Sequence, residues 1–168
     1  MSDATKNLLI RILIHSAVLF VLYILQMMVF SRLRIFGIAP LILPLAVVGV
    51  GIFEGASWGG AVGLAAGVLT DMSFLSSTVL FTILLTGIGM GVGLLSSYLL
   101  SRGFPSYLIC GAAALVLIAF CQMFTLLVFH RQPPLALFRV GALQTLYSIL
   151  FAMPIYYVCR SLGRRNMT

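Results

Sequence analysis

The chain has 168 residues, 62% of them apolar and only 8% charged, with mean hydropathy +1.19. Soluble domains hold about 45–50% apolar and ~25% charged residues, so these charges cannot cover a water-facing surface, and this much apolar side chain cannot stay disordered in water. What remains is an all-α integral membrane protein forming a single transmembrane domain over 1–168; at ~20 residues per crossing, six crossings would use most of the chain. The balance of 10 Lys and Arg against 3 Asp and Glu gives +7. Those cations lie at the ends of apolar runs, where the positive-inside rule and anionic headgroups account for them. With no basic cluster interleaved with aromatics, membrane lipids are expected partners and nucleic acid is not.

In chain order, Leu8–Phe30 is the first apolar run long enough to span. Its basic lead resembles a signal peptide, but the run is long and no small-residue cleavage site follows, so it is read as an uncleaved first crossing. Arg11 and His15 stand near its beginning, where Arg11 can snorkel to the headgroups and His15, one turn deeper, is expected to pack or sit at the interface. The segment SRLRIFGIAP (31–40) reads as a loop with Arg32, Arg34, Gly37 and Pro40. Two shorter apolar runs follow, 41–53 and 56–70, separated by Glu54-Gly55. Taken as one overlong helix they would leave Glu54 near mid-membrane, at a cost of roughly 2.5–3.5 kcal/mol, with no cation in the run to neutralise it. Gly49, Gly51, Gly55, Gly59 and Gly60 also suit a reversal better than a rod. Two short helices are therefore preferred.

The remaining predicted spans are 74–100, 107–129 and 140–159. They are separated by a break at Arg102, Gly103 and Pro105 and by the loop 130–139, and followed by the basic tail Arg160, Arg164 and Arg165. With the first three spans at 8–30, 41–53 and 56–70, this makes a six-helix transmembrane bundle. Lys6, Arg11, Arg102, Arg160, Arg164 and Arg165 then share one side against Arg32, Arg34, Arg131 and Arg139, which puts both termini in the cytoplasm. Cys110, Cys121 and Cys159 fall in or at the end of apolar runs and read as small packing residues. Trp58, Tyr23, Tyr98 and Tyr107 read as interface aromatics rather than pocket linings.

No catalytic constellation is legible: there is no GxSxG, HExxH or P-loop, and no convergent set of His, Cys, Asp and Glu with metal-ligand spacing. The expectation is a protein that is not an enzyme and takes no cofactor or metal. The informative stretch is GGAVGLAAGVLTD, where Gly59, Gly63, Gly67 and Asp71 recur every fourth residue. Each step drifts by about 40°, so the four form one slowly winding stripe along which another backbone can come close, the usual route to helix contact in lipid. Asp71 at a helix C-terminus opposes the macrodipole. It therefore asks for a partner: a loop amide, Arg32 or Arg34, or another subunit. A second set, Gly87, Gly89, Gly91 and Gly93, contains two overlapping GxxxG spacings and is expected to face the first, with Gly89 and Gly93 as packing residues.

The Leu25-Gln26 pair closing the first span, the loop FSRLRIFGIAP, the glycine-spaced GLAAGVLTD and a long fourth span together resemble the MreD family, the rod shape-determining membrane proteins of bacteria. Chain length and the basic C-terminal tail fit as well; the specific positions are Gly37, Pro40, Gly63, Gly67 and Asp71. The resemblance implies a fold like that of vitamin-transporter S components and a non-enzymatic scaffold subunit of the cell-elongation complex in the inner membrane. Its partners would be an MreC-like single-span protein, within the assembly that also holds MreB, RodA and a class B penicillin-binding protein, and its role would be cell shape and lateral peptidoglycan synthesis. The competing reading is a substrate-binding S component for a vitamin or metal. Against it, the first span has no AxxxA docking pair, and few polar groups are available to converge on a ligand.

Overall fold

The computed structural model describes residues 3–30, 41–73, 79–98, 103–130 and 134–165. Among them all regular structure is helical: α1 (Asp3–Ile24, prolonged by π-helical turns over Leu25–Phe30), α2 (Leu43–Glu54), α3 (Ala56–Ser73), α4 (Leu80–Tyr98), α5 (Phe104–His130), α6 (Pro134–Leu150) and α7 (Ala152–Arg165). Leu80–Tyr98 and Phe104–Phe124 are each long and apolar enough to cross a membrane, and Gly141–Leu150 with Ala152–Ser161 makes a third if that bent pair is one span.

Helix α2 is the axis of the molecule. Every residue from Leu43 to Ile52 is buried, as expected of a helix that is apolar on all sides. Burying a helix N-terminus leaves its first amides without water, and the preceding Ile42 has no side-chain oxygen to cap them. Two distant side chains do so instead. Gln26, in the π-helical turns of α1, accepts through Oε1 from the amides of Ile42 (3.1 Å) and Leu43 (3.0 Å). Ser148 Oγ accepts from the Leu41 amide at 2.9 Å and donates to the Gln144 carbonyl. Pro44, in the first turn of α2, has no amide to satisfy.

At the other end Gly55, with φ +92°, stops α2; its amide donates back to the Gly51 carbonyl, and its own carbonyl accepts from Gly59 as α3 begins. This positive-φ, extended backbone is one that glycine adopts freely and other residues do not. Helix α3 doubles back so that Gly59 lies against Gly51. The expected break at Glu54-Gly55 is thus a tight reversal between two helices.

Helix α4 runs antiparallel to α3 with the two backbones in contact. Helices α5 and α7 close the other sides of α2. The Tyr107 hydroxyl donates to the Leu45 carbonyl at 3.2 Å, Gly111 admits the Leu45 side chain, and Gly49 admits Cys159. Tyr107 is completely buried, so its sequence-based placement at an interface is wrong: its ring fills a junction with Tyr156, whose ring also meets Phe53 and Phe104.

Helix limits also differ from the sequence reading. Helix α1 begins at Asp3 rather than residue 8, and α6 at Pro134 rather than 140, because polar flanks and an N-terminal proline extend a helix as readily as apolar residues do. The expected rod over 140–159 is two helices bent by 50°. Pro154 cannot donate to the Leu150 carbonyl and its ring crowds it, while the Phe151 amide bonds three residues back to Ser148 at 3.1 Å.

Candidate functional site

All five glycines singled out for packing meet the other helix of the α3–α4 pair along a single seam. A Cβ on Gly59 would lie 2.5 Å from the Gly89 carbonyl oxygen, one on Gly63 would strike the Leu85 carbonyl, and one on Gly67 would strike the Thr82 Cα. From the α4 side, Gly89 meets Gly59, and Gly93, the fifth, meets Ala56 beside the Gly55 turn. Gly51 of α2 joins the same place, where its Cβ would lie 2.9 Å from the Gly89 oxygen. Gly87 and Gly91 have nothing within 4 Å, so only half of the second glycine set belongs to the seam. The alternation follows from helical geometry, since residues two apart point to opposite sides.

Asp71 ends the seam and faces the start of α4. Its Oδ1 accepts from the Phe81 amide (3.3 Å), and Oδ2 accepts from the Thr82 amide (3.0 Å) and hydroxyl (2.7 Å). These are the second and third amides of α4, the donors that an N-cap side chain ordinarily satisfies. The carboxylate that opposes the dipole of its own helix complements the positive end of its antiparallel neighbour. The amides belong to the first turn of α4 and not to the loop expected from the sequence; Arg32 and Arg34 lie outside the described residues.

The opposite end of the molecule holds a polar contact that the sequence reading missed. His15 of α1 and Glu54 at the end of α2 meet at 2.7 Å, with side chains 5% and 2% exposed. Nε2 faces Oε1 within hydrogen-bond distance, and the Trp58 ring lies beside the imidazole at a centroid distance of 5.2 Å. The carboxylate's partner comes from another helix, 39 positions away, rather than from its own run. A usable signal did exist: the six crossings expected from the sequence would put the beginning of the first span and the Glu54-Gly55 break on one membrane side.

Cys110, Cys121 and Cys159 carry thiols rather than disulfides, and Cys159 packs on Gly49 with Sγ 3.8 Å from the Ala46 carbonyl. Among the described residues no three His, Cys, Asp or Glu side chains group as metal ligands. Among the described residues, two open grooves lie on the outside of the helices. One, of about 480 Å³, lies between α5 and α6 and is almost wholly apolar, with Phe120, Met123 and Leu146 in its lining. The other, of about 810 Å³, lies between α1 and α3 and has His15, Ser16, Ser57 and Trp58 in its lining.

Chemically, these groups fasten helices to one another. Asp71, Gln26, Ser148 and Glu54 each hold a second element, in three cases at a helix terminus. No protein-family model, curated protein or solved structure matches the chain.

Proposed function

We propose that this chain is a six-crossing, non-enzymatic scaffold of the bacterial inner membrane. In this reading it is an MreD-like subunit that binds an MreC-like single-span partner and supports lateral wall synthesis by the elongation complex with MreB, RodA and a class B penicillin-binding protein. The observation that carries the reading is the α2–α3–α4 junction at Gly51, Gly59 and Gly89, where three backbones meet without intervening side chains. Such a junction makes a rigid body whose remaining helix faces are free to hold other spans, which is what a scaffold in lipid requires. The internal use of Asp71, Glu54 and Gln26 points the same way, because these polar groups fix helices and do not converge on a substrate.

Both termini are assigned to the cytoplasm, with Lys6, Arg11, Arg102 and the tail arginines on that side. Arg32 and Arg34, in the predicted outer loop, stand as the cationic candidates for partner contact. The vitamin-carrier alternative is less well supported, because the α1–α3 groove gathers its polar groups at one end only.

Co-purification from mild detergent together with depletion in a rod-shaped host tests the proposal. Recovery of the MreC-like protein and rounding of depleted cells are expected. Absence of that partner with unchanged cell shape would falsify it, and a C-terminal reporter active only outside the cell would reverse the orientation.

A further inference from the structure

We propose that the groove between α1 and α3 is a binding site for an anionic phospholipid, one acyl chain lying along α3 and the phosphate held at the cationic start of α1. The inference does not depend on the scaffold role. The groove holds about 810 Å³, within the roughly 300–1,000 Å³ typical of small-ligand sites. Its apolar wall includes Phe20, Ala61, Ala65 and Val68, while its polar groups, His15, Ser16, Ser57 and Trp58, gather at one end.

Helix α4 gives that end its depth. Nineteen residues long, it rises about 28 Å, close to the ~30 Å of a hydrocarbon core. Its last turns lie beside the α2–α3 reversal: Ser96 Oγ donates to the Ile52 carbonyl at 2.9 Å, and Gly93 touches Ala56. The polar end of the groove is therefore level with the headgroup boundary, where Trp58 and the exposed Tyr98 are placed as interface aromatics. From Ser57 to Val68 the groove follows α3 for about 17 Å, and the chains of one leaflet fill about 15 Å. A partner helix crossing the membrane would need a seat along the whole ~30 Å. A groove of half that length, polar only at its outer end, fits a lipid tail with its ester and phosphate groups above it.

Charge selects the headgroup. Helix α1 continues outward past His15 with Arg11 one turn earlier in the sequence and the exposed Lys6 beyond. A cation at a membrane surface favours an anionic lipid over a zwitterionic one by roughly fivefold.

Trp58 is the protein's one tryptophan, so it reports on the groove directly. The full chain is reconstituted in vesicles containing phosphatidylglycerol or phosphatidylcholine brominated on the acyl chain, and quenching of Trp58 is followed against mole fraction. The expected result is that brominated phosphatidylglycerol quenches with a relative affinity at least roughly fivefold above phosphatidylcholine. The preference should disappear in the Lys6→Gln/Arg11→Gln variant. Ala65→Phe, at an exposed groove position, should lower quenching by both lipids, whereas Ala142→Phe in the α5–α6 groove should change neither. Equal quenching by the two lipids, or indifference to Ala65→Phe, would overturn the site as ordinary annular contact. Shielding of Trp58 from both lipids by a co-expressed single-span protein would overturn it in favour of a helix.

Discussion

Replacing Gly59 with alanine adds a single methyl group, and the structure makes that methyl expensive. Its carbon would lie 2.5 Å from the Gly89 carbonyl oxygen, 2.8 Å from the Gly51 Cα and 3.1 Å from the Gly89 carbonyl carbon. All three are backbone atoms, so no rotamer change relieves the contact; α3 and α4 must separate by about 1 Å, and a gap of that size forfeits a quarter to a half of the dispersion energy across the seam. Overpacking of well-packed interiors costs about 1–3 kcal/mol, and a clash with backbone on two helices belongs at the upper end, about 2–3 kcal/mol. Gly87→Ala is the matched control on α4, with open space where its methyl would go. There alanine's better helix propensity should stabilise by up to about 1 kcal/mol. Reversible unfolding in mixed detergent micelles, read by circular dichroism, should therefore move in opposite directions for the two variants. Shifts of equal size and sign would refute the seam as the source of stability.

Three further outcomes follow from the polar contacts. Asp71→Ala should destabilise by about 0.5–2 kcal/mol, the usual value of an N-cap, and Asp71→Asn should cost less because one acceptor oxygen stays beside the α4 amides; equal losses in the same titration would remove the capping role. His15→Ala should cost about 3–5 kcal/mol by leaving Glu54 buried without that contact. The double variant with Glu54→Leu should recover part of the loss, and strict additivity in the cycle would show that the two side chains do not interact. Gln26→Leu should orphan two buried amides at about 1–3 kcal/mol each, read as faster hydrogen exchange at Ile42 and Leu43; unchanged exchange there would contradict the cap.

What was legible in advance was whatever depends on neighbours in sequence. A four-residue glycine spacing makes a stripe on any α-helix, so Gly59, Gly63 and Gly67 could be placed on one face, as could Gly89 and Gly93. The Glu54-Gly55 break was legible because a carboxylate and a glycine interrupt an apolar run whatever surrounds them. The bend at Phe151 has a local cause in Pro154 as well, yet a proline near a helix start and one inside a helix look alike until the helix limits are known.

Composition and periodicity by themselves determined that the chain is apolar and helical, where it turns at Gly55, and which glycines share a face, because these properties are set by side chains a few residues apart. Tertiary structure alone decided that Glu54 meets His15, that Asp71 caps α4 and not its own helix, that Gln26 and Ser148 complete α2, and that Tyr107 lies inside. The physical reason is that a buried polar group must find a hydrogen-bond partner, and which partner it finds depends on how helices far apart in sequence come to lie side by side.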